Sequence, residues 1–577
     1  MKNKLRYLLV ISAIIFWASF TTSSVSVILL LCLFGLGIGL LIARATPLSQ
    51  LSWPTGILKP IFWILGAVLS VIVCFLSASY FHNTLCVSSV HQSIIAQFVP
   101  NVEADLIGIA AVLGVGMFPS VFDVLCRALY HTWGFFRNIR WRSLWKYTGK
   151  TVTVKSSLRS AVTVCVSLLL CAAIGIGLLT AVFCIPVDSI DQNVAKSALT
   201  IQKEGTYHSI SPWFHSLLDN WTDSIILMEA AKAPDTTALD AAVNAFHGAV
   251  DENATPAENL TAHYIDGAPY TTFVEYCRYW HGYLVILKPL LCFLDYNAIR
   301  ILNGIVQVFL VTAICLLMRK KGLGSYVIPM VLTYLMLMPV ALACSFQFST
   351  CFYTIALGLL AMLLIRPEKL DRSASMLFLA IGIATAYFDF LTYPIATFGL
   401  PVLVLLVLQN NHPKEERLFM IIKCGLFWCI GFGGMWASKW IISYLVCGYN
   451  FSQLLTIFAQ RTSMAIATSS LSVFDVEASN YSTFLQTPIS YLVLLLIGIR
   501  YRQIQRAAPV DSHKAYRTVF PYLLVACAPI VWFAFAASHS AAHYWFTNKA
   551  CSVTLLGILF AVTSVQALQK DQAPTIE

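Results

Sequence analysis

The chain has 577 residues, of which 58% are hydrophobic and only 11% charged, with a formal net charge of +10 and a mean hydropathy of +0.75. Soluble domains carry about 25% charged residues, so this much apolar surface excludes a water-soluble fold and requires lipid as solvent. Lipid leaves only helices or closed barrels. The apolar runs are continuous over roughly 17–25 residues and do not alternate, so the sequence predicts an all-α, polytopic transmembrane helical bundle.

In chain order about 14 spans are predicted, near 7–23, 26–44, 57–80, 105–126, 160–185, 298–318, 325–344, 348–365, 374–391, 395–410, 418–444, 486–499, 518–537 and 549–568. The first lacks a clear small-residue cleavage site and runs at once into a second apolar stretch, so it reads as an anchor and not a signal peptide. Residues 1–150 form an N-terminal four-span module with no assigned role, and 151–577 form the transmembrane core. Basic residues set the orientation. Segment 127–159 and the connections at Arg319-Lys320-Lys321, Arg366 to Arg372, Lys414 to Arg417 and Arg500 to Arg506 all fall on one side, the cytoplasm, with both termini. The loop 186–297 then lies outside and holds 14 of the 27 acidic residues but only five Lys or Arg. The positive net charge therefore reports topology and not nucleic-acid binding. The 17 cysteines lie mostly within spans, as small apolar residues do, with no CxxC spacing and no disulfide framework. There is no GxGxxG, Walker A pattern or solenoid repeat, which argues against an ATP-driven pump.

Within the outside loop, Ser211 followed by Pro212 reads as an N-cap and first helical position. A helix of about 20 residues is predicted from there to about Lys232. At 100° per residue it places Trp213, Phe214, Leu217, Trp221 and Met228 on one face and Asp219 and Asp223 on the other, as in a helix lying at headgroup level. A transferase working beside the membrane needs a base for an acceptor hydroxyl, which a positioned carboxylate supplies. Two carboxylates can divide the roles of base and orienter, or hold a divalent cation such as magnesium or manganese. The plain alternative is a solvated acidic face.

Other polar residues gather on the same side: Arg278-Tyr279-Trp280-His281-Gly282, Lys288 in the short apolar stretch 283–294, Asp389 between aromatics, Lys439, Arg461, and His539 with His543. Aromatic-belt anchoring and a snorkelling Lys439 are the ordinary readings. The i, i+4 histidines could bind a metal, but no acidic or Cys partner stands near them in sequence. A carboxylate at a membrane helix end is costly and calls for a partner, which singles out Asp389. Arg278, Lys288, Lys439 and Arg461 could supply positive charge to a phosphate.

With these segments, the chain over about 160–568 resembles the GT-C type integral membrane glycosyltransferases that use polyprenyl-phosphate sugars. The stretches Asp219-Asn-Trp-Thr-Asp223, Arg278-Tyr-Trp-His-Gly282 and Tyr387-Phe-Asp-Phe390 look like those of uncharacterised bacterial members. The resemblance implies a bacterial plasma-membrane enzyme with its active-site loop outside. It implies a base at Asp219 or Asp223 and a lipid-phosphate cation at Arg278, Lys439 or Arg461, within a substrate and lipid-phosphate site drawn from Arg278, His281, Lys288, Asp389, Lys439, Arg461, His539 and His543. It also implies a polyprenyl-phosphate-linked sugar donor and a glycan or lipid-linked acceptor. Two departures stand out: a module of four spans precedes the span that leads into the long loop, and the acids are spaced Asp-x3-Asp where a contiguous pair is usual. A flippase for a lipid-linked sugar and an O-antigen-type polymerase or ligase are the alternatives.

Overall fold

The computed structural model describes residues 53–54, 59–70, 118, 121–133, 154–231, 234–410, 412–462, 472–507 and 510–572. These are very largely helical. Among them, the only sheet is a two-stranded antiparallel pair, β1 (His247–Ala249) and β2 (Thr272–Val274), with His247 opposite Val274.

The helices that position the site are α1 (Val154–Phe183), α2 (Asp188–Glu204), α3 (Asn220–Ala230), α4 (Leu284–Leu291), α5 (Tyr296–Lys320), α6 (Phe346–Leu364), α7 (Pro367–Phe388), α8 (Ile395–Leu408), α9 (Lys414–Cys447), α10 (Phe451–Arg461), α11 (Val473–Leu485), α12 (Pro488–Arg506), α13 (Ser512–Ala526), α14 (Ala528–Phe535) and α15 (Ser552–Gln572). Six helices are long and apolar enough to cross a membrane: Ser160–Phe183, Tyr296–Lys320, Phe346–Leu364, Glu415–Cys447, Lys514–Phe535 and Tyr544–Gln569. A seventh arises if α11 and α12, which meet at 86°, are one broken span. All six coincide with predicted spans.

The shortfall from fourteen has local causes. Predicted spans 7–23 and 26–44 lie outside the described residues, and 57–80 and 105–126 lie there in part, so the N-terminal module is described only in fragments. Segment 325–344 breaks at Met338, which takes φ +58 ahead of Pro339. Segment 395–410 gives a helix of 14 residues, short of the roughly 20 needed to span. Its residues Ala396 to Val407 are all buried, because a helix that is apolar all round belongs in the core. In contrast, α1 turns Leu169, Leu170 and Ile174 outward, as a lipid-facing helix does.

The predicted helix from Ser211 to Lys232 does not form as such. Residues 208–218 fold back: Leu218 N–H donates to His208 O at 2.8 Å. Ser216 Oγ accepts from Ser211 Oγ at 2.7 Å and donates to Trp213 O at 2.7 Å. These local hydroxyl bonds compete with helix formation, and only a 3-10 turn, Phe214–Ser216, results. The helix proper starts at Asn220 with Asp219 as its N-cap, and ends at Ala230. Its acidic side looks inward, and every residue of the helix except Trp221 and Thr222 is buried. Trp221 is 37% exposed and Met228 is buried, while Asp223 is fully buried. The acidic side looks inward because its hydrogen-bond donors lie there.

Candidate functional site

The two acids of α3 occupy different environments. Asp223 accepts from Tyr296 Oη at 2.5 Å, Phe346 N at 3.0 Å, Gln347 N at 3.2 Å and Ser345 Oγ at 3.3 Å. It thereby caps the N-terminus of α6, whose first N–H groups have no partner within the helix. Burial pushes its carboxyl up to about 6, against the Tyr296 bond and the Arg300 charge, which pull it down. Asp219 accepts only from Thr222, through N at 3.1 Å and Oγ1 at 3.0 Å. Burial pushes it up to about 7, with the neighbouring Asp223 charge adding to the rise and the Thr222 bonds opposing it. A carboxylate poised near neutrality suits a general base. Asp223, with four donors converging on its lone pairs, does not fit as a ligand for a divalent cation. Among the described residues no three His, Cys, Asp or Glu side chains stand together as a cation site.

Arg300, Glu204 and Tyr296 complete this centre and were not singled out from the sequence. Arg300 pairs with Glu204 through two bonds of 2.6 and 2.9 Å, donates to Cys344 O at 2.7 Å, and stacks 3.8 Å from the Tyr296 ring. Asn220 Nδ2 also donates to Glu204, at 3.0 Å. An arginine in the first turn of an apolar span is a readable signal. Glu204 and Tyr296 carry none, because their role depends on contacts across 96 and 73 residues.

A second centre forms around the connection between α7 and α8. Asp389 accepts from Thr350 Oγ1 at 3.1 Å and from Thr392 N at 2.8 Å and Oγ1 at 2.5 Å. The first turn of α6 is therefore held by Asp223 on one side and Asp389 on the other. Beside it, His281 Nε2 donates to Tyr276 O at 2.7 Å, and its Nδ1 lies 3.1 Å from Glu229 Oε2. Tyr283 donates to that same oxygen at 2.6 Å. Phe390 packs on the rings of Tyr276, Tyr279, His281 and Tyr283. His281 and Leu391 take φ +56 and +70, a strained conformation for non-glycine residues that clusters at functional sites. Gly282 is required here: a Cβ on it would come within 2.3 Å of the Tyr387 ring and 2.6 Å of Tyr387 O.

On the other side of Leu391, its carbonyl accepts from His539 Nε2 at 2.9 Å. Arg461 Nη1 donates to His539 Nδ1 at 3.0 Å and to His543 Nε2 at 3.1 Å. The arginine takes the lone pairs that a metal would need. Burial pushes His543 down to about 3 and His539 well below its ordinary value, with the Arg461 charge lowering both. His543 packs on Trp545 and Trp545 on Tyr207, which lies within electrostatic reach of Asp219. The two centres are thus bridged by an aromatic wall and by α6, but the acids do not touch.

Two of the basic residues proposed for phosphate are engaged elsewhere. Lys288 donates to Ala230 O and Lys439 to Val243 O, both at 2.6 Å. Each ammonium caps the last turn of a short loop helix, which is where a cation is stabilised. Arg278 stacks 4.3 Å from the Tyr276 ring.

Between α4, α5, α6 and α7 runs an apolar groove of about 560 Å³, with Leu287, Leu290, Ile299, Leu357, Leu377 and Ala384 among its walls. Tyr283, Asn303, Ser349 and Thr350 supply its polar lining, so it reaches hydroxyls that bond Glu229 and Asp389.

Fold and site together define a multi-helix protein with apolar helices of membrane-spanning length and a buried polar centre beside an apolar groove. Comparison with protein-family models, curated proteins and solved structures gives no match.

Proposed function

We propose that the protein is a glycosyltransferase of the GT-C type, moving a sugar from a polyprenyl-phosphate donor to an extracytoplasmic glycan or lipid-linked acceptor. The reading includes the predicted topology: about 14 spans, cytoplasmic termini and the 186–297 loop outside. The observation that carries it is the groove, an apolar slot of about 560 Å³ that touches hydroxyls tied to two buried carboxylates. That volume is within the roughly 300–1,000 Å³ of ligand pockets. A lipid tail fits the slot and a polar headgroup fits its hydroxyl-lined part.

In this reading the acceptor oxygen attacks the sugar C1, the C1–O bond to phosphate breaks, and polyprenyl phosphate leaves. The acceptor proton passes to Asp219, while Asp223 fixes α6 and acts as a positioning residue. Arg461, held by two neutral imidazoles, and Arg278 are the cations assigned to the phosphate. No step is routed through a divalent cation.

The test is to plug the groove with Ala384→Trp. A donor tail leaves lipid and not water, so the groove contributes close packing and little hydrophobic gain. kcat/KM for a long-chain donor should fall roughly tenfold, with a short-chain analogue unaffected. Equal responses to both donors overturn the assignment.

One observation favours a second reading, a transporter of lipid-linked sugar. Among the described residues, Lys549 Nζ and both Glu477 carboxylate oxygens are buried without a hydrogen-bond partner, and buried ionisable groups among apolar helices mark ion and substrate pathways. Movement of a fluorescent lipid-linked sugar across proteoliposomes, without transfer, would select it.

A further inference from the structure

At the basic end of the bundle a separate cavity of about 430 Å³ lies between α12, α15 and the turn at Ser325, lined by Arg500, Gln503, Thr563, Gln566 and Ser325 among others. We propose that it binds the phosphate of an anionic phospholipid headgroup. The inference is independent of the transferase reading, since it concerns neither the groove nor the acids.

Three observations carry it. First, the arginine is built in. Arg500 Nη1 donates to Thr563 Oγ1 at 3.1 Å and to Gln566 Oε1 at 3.2 Å. Those bonds fix the plane of the guanidinium and, among the described residues, leave Nη2 and Nε to donate in the paired geometry that suits a phosphate. Second, the wall is polar and ordered. Gln566 Nε2 bridges to Arg500 O at 3.2 Å and Gln503 Oε1 at 3.1 Å, and Gln569 Nε2 reaches Ile504 O at 2.8 Å. This side-chain ladder zips α12 to α15 towards the C-terminal ends of both. Third, basic helix ends lie beside it, as at the headgroup level of a membrane. Ser325 follows the Arg319-Lys320-Lys321 end of α5 by four residues, and α12 continues past Arg500 to the basic Arg506. Basic pockets between membrane helices at that level bind anionic headgroups. Open on one side and apolar above at Leu496 and Ile499, the cavity admits a headgroup while its acyl chains stay in lipid.

The test uses the full-length protein purified in detergent, with bound lipid counted by native mass spectrometry. Phosphatidylglycerol, phosphatidylcholine and inorganic phosphate are added in turn. Wild type should retain phosphatidylglycerol in preference to phosphatidylcholine. Arg500→Gln should weaken that retention about tenfold or more, the loss of a charge-assisted hydrogen bond to the phosphate, whereas Arg506→Gln, which does not line the cavity, should weaken it by no more than about fivefold, the contribution of general surface charge. Ser325→Trp fills the cavity from the turn after α5 and leaves Arg500, Thr563 and Gln566 themselves unchanged, so it keeps the test decisive if Arg500→Gln fails to fold. It should lose retention to the same extent. Equal retention of both lipids, unchanged retention in Arg500→Gln or Ser325→Trp, or displacement of the lipid by millimolar inorganic phosphate overturns the proposal.

Discussion

Replacing each acid of α3 by its amide separates a positioning role from a chemical one. Asp223→Asn keeps the shape but gives the side chain an NH2 where donors already converge from Tyr296, Ser345, Phe346 and Gln347. At least two of the four bonds are lost, and donor faces donor at a site with no solvent exposure. At about 1.5–3 kcal/mol for each bond to a charged group, the expected destabilisation is about 3–6 kcal/mol. Asp219→Asn keeps a good N-cap, because Asn serves as well as Asp in that position, so stability should change by less than about 1 kcal/mol. Its transfer rate should fall by roughly 10²–10⁴, the contribution of a general base. Thermal unfolding in detergent gives the first quantity, and transfer of labelled sugar from a polyprenyl-phosphate donor gives the second. Near wild-type transfer by a folded Asp219→Asn protein refutes the base assignment. An Asp223→Asn protein as stable as wild type refutes the capping of α6.

Three further outcomes follow from the same geometry. Asp219 is raised from its ordinary 3.8 to about 7 by burial. Its contribution to stability is therefore full below pH 3.8 and lost as pH rises through 7, while activity, which needs the ionised form, rises through the same range. Activity that is flat between about pH 5 and 8 counts against the base. Gly282→Ala places a methyl against Tyr387 and should destabilise by about 1–3 kcal/mol in thermal unfolding; an unchanged midpoint contradicts the close approach. Because the donors around Asp223 leave no lone pairs for a cation, any thermal stabilisation of the protein by added manganese should persist in Asp223→Asn, and its loss would place the cation on Asp223.

Hydrophobicity by itself determined the six helices long and apolar enough to cross a membrane, because burial of a continuous apolar helix in lipid depends on composition and length and on no distant partner. It also marked Asp389, Arg461 and His281, since charged or polar groups beside apolar runs are conspicuous. The course of the loop was not legible. Periodicity continued a helix through 212–219, where serine hydroxyls and the His208–Leu218 bond turn the chain instead. The inward facing of Asp223 depends on donors that arrive from residues 296 and 345–347, and the Lys288 and Lys439 ammonium groups are claimed by carbonyls 58 and 196 residues away. Only the tertiary structure brings such pairs together, and it also makes the groove, whose walls come from two helix pairs, α4 with α5 and α6 with α7. A local pattern records which residues avoid water. Which buried acid keeps free lone pairs is decided by the partners the fold delivers.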